Sequence, residues 1–225
     1  MAKGFFITGT DTGIGKSWCS AGIMEKLKQQ GHNVVGMKPV ASGCELTPDG
    51  LRNEDALLLQ QQGSVIVDYA LVNPYSFAPA IAPHIAATQA GERIKLGKIL
   101  ERYTQLKKQS ESVVVEGVGG WLVPLNDHET VADLGAALKL PVILVVGMRL
   151  GCINHALLSA ESIRASGSSL AGWIANSVDP QMDELQATIN AIAQRLDAPL
   201  LGVVPHMQKL EVKAIASSID ISLAR

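Results

Sequence analysis

The sequence predicts a doubly wound α/β fold, with a mostly parallel sheet and helices on both of its faces. Short runs of consecutive apolar residues recur along the chain and are separated by stretches with helical spacing. Uninterrupted apolar runs are typical of strands that are buried on both faces of a parallel sheet. Strands that alternate with helices favour the doubly wound arrangement. A length of 225 residues suits one such unit, so we expect residues 1–225 to form a single domain.

The elements can be placed in order along the chain. The predicted strands are Phe5–Thr8, Val34–Met37, Val113–Val115, Val142–Val146, Leu170–Ala175 and Leu200–Val204. A helix is predicted from Ser17 to Gln30, ending at Gly31. The segment Leu46–Pro83 is rich in Pro, Asn and Asp, and we expect active-site loops there around one short helix, Glu54–Gln62. Sites in such folds lie beyond the carboxyl ends of the strands. Those ends carry Gly9, Lys38, Glu116, Gly147, Asn176 and Pro205.

Composition excludes several classes of protein. The formal net charge of −2 lacks the basic excess of a nucleic-acid binder. No apolar run reaches the roughly 18 residues that span a membrane. Charged residues make up only 18%, which indicates extensive burial that can include a subunit interface. Cys19, Cys44 and Cys152 are scattered and odd in number, which predicts reduced thiols in a cytoplasmic protein.

A glycine-rich segment from Gly9 to Ser17, GTDTGIGKS, links the first strand to the first helix. This is the context of a phosphate-binding P-loop, in which backbone N–H groups and the helix N-terminus face phosphate oxygens. Lys16 would reach the β- and γ-phosphates, and the Ser17 hydroxyl would bind Mg²⁺. Five residues separate Gly9 from Gly15, one more than in the common motif. A glycine-rich turn without nucleotide is the alternative, and a dinucleotide motif would leave Lys16 unexplained.

Three further residues are candidates for the same site. Glu116 ends an apolar strand as the carboxylate of a Walker B motif does, and it would bind Mg²⁺. Asp55 precedes an apolar helix, and this position by itself favours a carboxylate that stabilises the helix dipole. Lys38 directly follows a buried strand, where its ammonium suits an anion, with donors from Ser42 and Gly43 nearby. The alternatives are a water-facing Glu116 and an exposed Lys38 in a loop.

Together these motifs resemble the dethiobiotin synthetase family, a branch of the P-loop NTPase superfamily. The five segments that carry the resemblance are Gly9–Ser17, Lys38–Gly43, Glu116–Trp121, Leu150–His155 and Gly172–Asn176. It runs from about Gly4 to Pro205. The family joins CO₂ to 7,8-diaminopelargonic acid with ATP and closes a cyclic urea. The resemblance therefore implies a Mg²⁺-dependent, ATP-dependent cyclo-ligase that forms a homodimer.

The resemblance also implies roles for individual residues. Lys16 and Lys38 are the catalytic lysines, and Ser17, Asp55 and Glu116 are the Mg²⁺ ligands. The implied nucleotide contacts are Thr12, Gly13, Ile14, Gly15, Lys16, Ser17, Trp18, Asp55, Glu116, Gly117, Val118, Gly119, Asn176, Ser177, Pro205, His206 and Met207. The implied substrate contacts are Ser42, Gly151, Cys152, Ile153 and Asn154, the last four acting across the dimer interface. Cys44 and Cys152 are expected to take no part in catalysis.

Departures from the family and alternatives to it bear on this interpretation. Position 13 is often acidic in the family and is glycine here, which is expected to change the rigidity of the loop. The tail from His206 to Arg225 matches the family poorly.

One alternative to this family is another amide-forming ligase of the superfamily, which usually carries an extra glutamine-hydrolysing domain. The other is a partitioning or positioning ATPase, which typically has an additional lysine early in its phosphate loop, where residues 10–14 hold none.

Overall fold

The computed structural model describes residues 4–209 and 211–224. Its strands, in chain order, are β1 (Gly4–Gly9), β2 (Val34–Met37), β3 (Val40–Ser42), β4 (Glu45–Thr47), β5 (Gly50–Arg52), β6 (Tyr75–Phe77), β7 (Ser112–Glu116), β8 (Val142–Gly147), β9 (Leu170–Asn176) and β10 (Leu200–Val204). Its helices are α1 (Lys16–Gln29), α2 (Glu54–Gln62), α3 (Tyr69–Val72), α4 (Pro83–Gln89), α5 (Leu96–Gln109), α6 (Val131–Leu138), α7 (Cys152–Ala165), α8 (Leu185–Ala193) and α9 (Val212–Ser217), followed by a 3₁₀ turn, Ile221–Leu223. No helix in this described part combines the length and apolar character that crossing a bilayer requires.

Six parallel strands form the central sheet in the order β10-β9-β8-β1-β7-β2. All six predicted strands belong to it. The chain moves outward from β1 to β2, returns to β7 and then continues on the other side of β1 with β8. The strand order therefore reverses beside β1, and ligands bind outside the carboxyl ends of the strands at such a reversal.

Side chains of the sheet belong to two hydrophobic clusters, one on each face. Phe5 and Ile7 of β1 belong to the cluster that includes residues of α1 and α9. Phe6, between them, belongs to the cluster that includes residues of α5, α6, α7 and α8. Successive side chains of a strand point to opposite faces, so the sheet is covered on both sides. This confirms the doubly wound prediction and explains why the strands are apolar throughout.

The segment Leu46–Pro83 contains more regular structure than the sequence predicts. Helix α2 has the predicted bounds, Glu54–Gln62, but the segment also holds the β4–β5 hairpin, the short helix α3 and strand β6, which pairs with β3. The expectation of loops around one helix was therefore wrong. These additional elements are only three or four residues long, which is too short to produce a recognisable hydrophobic period.

Candidate active site

A cavity of about 780 Å³ opens at the carboxyl ends of β1, β2 and β7. It receives residues from the phosphate loop, from helix α2 and from the segment before α4. The lining residues are Thr12, Gly13, Gly15, Lys16, Ser17, Trp18, Lys38, Ala41, Ser42, Asn53, Glu54, Asp55, Ala80, Ile81, Ala82, Pro83, Glu116, Val118, Gly119 and Val123. Most of the predicted lysine, metal and phosphate-loop residues therefore share one cavity.

The phosphate loop is shaped by its glycines. Gly15 has a φ of 82°, and a Cβ added there would lie 2.3 Å from Nδ2 of Asn176, so both its conformation and its surroundings require glycine. Gly13 has a φ of 72° with open space around it. The glycine at position 13 thus adopts a left-handed conformation without strain. Because Gly15 has no side chain to cap α1, the N–H groups of the first helical turn can bind an anion.

Lys16 begins helix α1 and is only 6% exposed. Its Nζ donates a hydrogen bond to the carbonyl oxygen of Asp11 at 2.6 Å. Burial, followed by repulsion from Lys38, lowers the pKa of Lys16 to about 8. The Asp11 carboxylate accepts a hydrogen bond from the N–H of Thr12 at 2.7 Å and pairs with Arg149. The carboxylates of Glu116, Asp55 and Asp11 offset these effects only in part, so a bound phosphate would further stabilise the charge on Lys16.

Lys38, Asp55 and Glu116 meet in one buried cluster. Lys38 Nζ donates to Oδ2 of Asp55 at 2.9 Å and to Oε1 of Glu116. The Ser17 hydroxyl donates to the same Glu116 oxygen at 2.8 Å. The contact between Lys38 and Glu116 follows from the sheet, because β2 and β7 are paired and both residues stand at carboxyl ends. The exposed alternatives for Lys38 and Glu116 were therefore wrong: these residues are 4% and 0% exposed.

The charges in the cluster stabilise one another. Burial disfavours the charge on Lys38, but the carboxylates of Glu116 and Asp55 outweigh it and raise the pKa of Lys38 above its ordinary value. Burial likewise disfavours the charge on Asp55, but the Lys38 ammonium, the Ser17 hydroxyl and the Lys16 charge together outweigh it and hold the pKa of Asp55 below its usual range. Lys38 and Asp55 are therefore both charged at neutral pH.

The oxygen atoms around Ser17 suit a hard divalent cation. Oε2 of the fully buried Glu116 has no hydrogen-bond partner among residues 4–209 and 211–224. A buried carboxylate oxygen without a partner is costly unless a ligand satisfies it. In the same described ranges, no three His, Cys, Asp or Glu side chains gather as a metal cluster. The donors that fit are thus two carboxylates and the Ser17 hydroxyl, a set that Mg²⁺ accepts when phosphate and water oxygens complete it.

Several predicted nucleotide residues lie outside the cavity lining. Ile14 is buried, and its carbonyl oxygen accepts a hydrogen bond from Nδ2 of Asn176 at 2.7 Å. The N–H of Gly117 donates to the Ile7 carbonyl oxygen of β1. Ser177 follows β9 and is buried, and its hydroxyl has no partner among the described residues. Pro205, His206 and Met207 follow the edge strand β10. Their contacts with a nucleotide remain predictions.

The predicted carboxylate-binding segment, Gly151–Asn154, is not part of this cavity. Gly151 precedes α7 with a φ of 92°, and Asn154 is exposed in the first turn of the helix. The Cys152 side chain is buried, as are those of Cys19 and Cys44. Within one chain, this segment does not line the cavity that contains Lys38, and its role in binding the substrate carboxylate remains a prediction.

Sequence reasoning missed several lining residues. Asn53 caps helix α2 through its side chain, which accepts from the N–H of Ala56 at 3.3 Å, and it lies one residue before the helix. Its position before an apolar helix is a recognisable capping signal. Ala80, Ile81 and Val123 form apolar parts of the wall and carry no signal of their own in the sequence.

Comparisons with known proteins identify relatives of this chain. A family model described as "AAA domain" matches residues 3–214. An "ATP-dependent dethiobiotin synthetase BioD" of Xanthomonas axonopodis pv. citri (strain 306) is 53% identical over 201 residues, covering 89% of this chain and 90% of the relative. Proteins of the same name from Pseudomonas aeruginosa (strain UCBPP-PA14) and Nitrosospira multiformis are 50% and 49% identical over 96% and 99% of this chain, and each alignment covers 96% of the relative. The likeness thus continues past Pro205, farther than the five motifs indicated.

Solved structures with lower sequence identity share the fold. The MinD cell division protein of Aquifex aeolicus superposes with a TM-score of 0.59 at 18% identity, covering 99% of this chain and 89% of that chain. A ParA family ATPase from Chlorobium tepidum TLS gives 0.57 at 13% identity, covering 98% and 90%. At these identities the similarity concerns the fold alone.

Proposed function

This chain belongs to the ATP-dependent dethiobiotin synthetase family, and from that membership we propose that it joins CO₂ to 7,8-diaminopelargonic acid with ATP, giving dethiobiotin, ADP and phosphate. It is an ATP-dependent ligase. The observation that carries the proposal is the meeting of Lys16, Lys38, Asp55 and Glu116 in one cavity at the N-terminus of α1. The partners proposed are therefore small molecules.

The proposed reaction has three steps. One substrate amine adds to the carbon of CO₂ and loses a proton, forming a carbamate. A carbamate oxygen then attacks the γ-phosphorus of ATP, ADP leaves, and a mixed carbamic–phosphoric anhydride results. The second amine attacks the carbonyl carbon and loses a proton, and phosphate leaves as the ring closes. No step needs a covalent bond to the protein, so the residues must position the reactants and offset negative charge.

Each cationic group has a separate proposed task. The N–H groups at the start of α1, together with Lys16, hold the nucleotide phosphates. Lys38 places its ammonium where the carbamate meets the γ-phosphoryl group and stabilises the charge that develops there. The Ser42 hydroxyl, which lines the cavity and has no hydrogen-bond partner in the described ranges, is proposed to contact the substrate.

We propose that Ser17, Asp55 and Glu116 hold Mg²⁺, which when bound offsets the charge of the phosphates. The unpartnered Oε2 of Glu116 supports this assignment. Thr12, Gly13, Trp18, Val118 and Gly119 line the cavity and are proposed nucleotide contacts. The remaining nucleotide contacts proposed from the family resemblance are Ile14, Gly15, Gly117, Asn176, Ser177, Pro205, His206 and Met207.

A homodimer completes the proposal. Gly151–Asn154 at the start of α7 would bind the substrate carboxylate across the interface, because a helix N-terminus favours an anion. Leu150 and Leu158, which are 98% and 57% exposed, lie before and within α7 and support an apolar contact there. A cytoplasmic location and a single functional domain over residues 1–225 stay predictions from the sequence.

The deciding experiment is mass spectrometry of the product formed from ATP, Mg²⁺, bicarbonate and 7,8-diaminopelargonate. We expect dethiobiotin and ADP in equal amounts, with ¹³C from labelled bicarbonate in the ring carbonyl. Lys16→Ala protein serves as the inactive control. ATP hydrolysis that is stimulated by lipid or DNA, with no dethiobiotin formed, would instead support an ATPase switch.

A further inference from the structure

A buried hydrogen-bond network connects Lys38 to helix α2. Asn73 is only 4% exposed, and its Nδ2 donates to the carbonyl oxygens of Lys38 at 2.6 Å and of Tyr75 at 3.1 Å. Its Oδ1 accepts from the hydroxyls of Tyr69 at 3.0 Å and Ser76 at 2.7 Å. The side-chain amide of Asn73 thus uses both donors and both acceptor positions, which fixes its orientation.

The backbone of Lys38 is held on both sides by residues 72 and 73. Its N–H donates to the carbonyl oxygen of Val72 at 2.8 Å, while its own carbonyl oxygen accepts from Asn73. The next residue, Pro39, has a fixed φ and no N–H. The exit of the chain from β2 therefore cannot shift without breaking a buried hydrogen bond.

Tyr69 extends this network to the helix that carries Asp55. While its hydroxyl donates to Asn73, the same oxygen accepts from the N–H of Asn53 at 2.9 Å. Asn53 is the N-cap of α2, and Asp55 lies two residues later in the first turn. The Arg52 guanidinium covers the Tyr69 ring, 4.2 Å from its centre. One side chain thus joins the start of α2 to the amide that holds Lys38.

We infer that Tyr69 and Asn73 are positioning residues for the reaction, which hold Lys38 Nζ and the Asp55 carboxylate at a fixed separation. The inference rests on the proposed function, because its assay is dethiobiotin formation. The physical reason is that catalysis by charge depends on geometry, and a displacement of about 1 Å can cost on the order of 10²-fold in rate. Neither side chain lines the cavity, so both act through Lys38 and Asp55.

The first test compares two tyrosine-to-phenylalanine variants. Tyr69→Phe removes the hydroxyl that joins Asn53 to Asn73. Tyr75→Phe is the matched control, because the Tyr75 hydroxyl also accepts a backbone N–H, that of Lys95, at 2.9 Å. We expect Tyr69→Phe to lower kcat by about tenfold or more while the KM for ATP stays within about twofold, since the phosphate loop is untouched. Tyr75→Phe should keep the wild-type kcat, while its loss of thermal stability should be similar to that of Tyr69→Phe.

The second test asks whether Tyr69 acts through Lys38. In a Lys38→Ala background, measured by single-turnover formation of dethiobiotin, Tyr69→Phe should cause a clearly smaller loss than in the wild-type background, because of the two groups that it positions only Asp55 remains. Ser76→Ala, which removes the other donor to Asn73, should show the same dependence and serves where Tyr69→Phe proves unstable. A wild-type kcat for folded Tyr69→Phe, or the same fold-loss with and without Lys38, overturns the inference. A wild-type enzyme that makes no dethiobiotin refutes the proposed function instead.

Discussion

Replacing Lys38 with methionine should destabilise the fold, because it removes the cation that neutralises a fully buried carboxylate. Glu116 is 0% exposed and would keep only the hydrogen bond from Ser17 at 2.8 Å among its present partners in the described ranges. Removing one partner of a buried ion pair costs about 3–5 kcal/mol. The side chain of Asp55 is 36% exposed, so losing its contact with Lys38 adds at most about 1 kcal/mol, which is within the spread of the first figure. The free energy of unfolding should therefore fall by about 3–5 kcal/mol.

Urea unfolding without Mg²⁺ or nucleotide measures this loss, followed by the fluorescence of the three tryptophans. With a slope of about 2.5 kcal/mol per molar urea, the midpoint should fall by about 1–2 M. Lys16→Met is the matched control: Lys16 is also buried, but its Nζ donates to the uncharged carbonyl of Asp11. Because burial already disfavours the Lys16 charge and lowers its pKa to about 8, the control midpoint should be unchanged or higher.

A second substitution identifies the source of the loss. Glu116→Gln in the Lys38→Met background removes the unpaired charge, so the double variant should be more stable than Lys38→Met alone. Equal losses in the free energy of unfolding for Lys38→Met and Lys16→Met would refute the reasoning. A double variant that is no more stable than Lys38→Met would also refute it. In either case the buried pair would not be the source of the lost stability.

Four further predictions concern activity, assembly and thiol chemistry. Lys38→Ala should lower kcat by about 10²–10³-fold with nucleotide affinity retained, and Lys38→Arg should recover only part of the lost kcat. Single-turnover kinetics and ATP titration check both variants, and near-normal turnover would remove Lys38 from the mechanism. Asp55→Asn should raise the Mg²⁺ concentration needed for half-maximal turnover; an unchanged requirement would leave Asp55 only its helix-dipole role. Mixed Lys16→Ala and Asn154→Ala protomers should regain activity if sites are shared, whereas a fully active monomer in sedimentation would exclude shared sites. Iodoacetamide at pH 8 should leave native Cys19 unmodified, because burial raises its pKa to about 12, and label it after denaturation; rapid native labelling would contradict its burial.

Parts of the site could be predicted from the sequence because they depend on neighbouring residues. The phosphate loop needs its glycines and Lys16 within one short segment, and the buried strands show themselves as continuous apolar runs. The bounds of α2 were correct, since Asn53 caps the helix and Gly63 follows it. The three- and four-residue elements between Leu46 and Pro83 were missed, because elements this short show no recognisable hydrophobic period.

The sequence by itself therefore determined the fold class, the phosphate loop and the family, because local sequence patterns predict all three. The tertiary structure alone decided that the Lys38 ammonium joins Asp55 and Glu116 and that Asn73 holds the Lys38 backbone. The physical reason is that a pattern records how each residue is buried but not which distant residue it meets. That second choice is made by strand order, here β1-β7-β2, which brings residues 38 and 116 to adjacent strand ends.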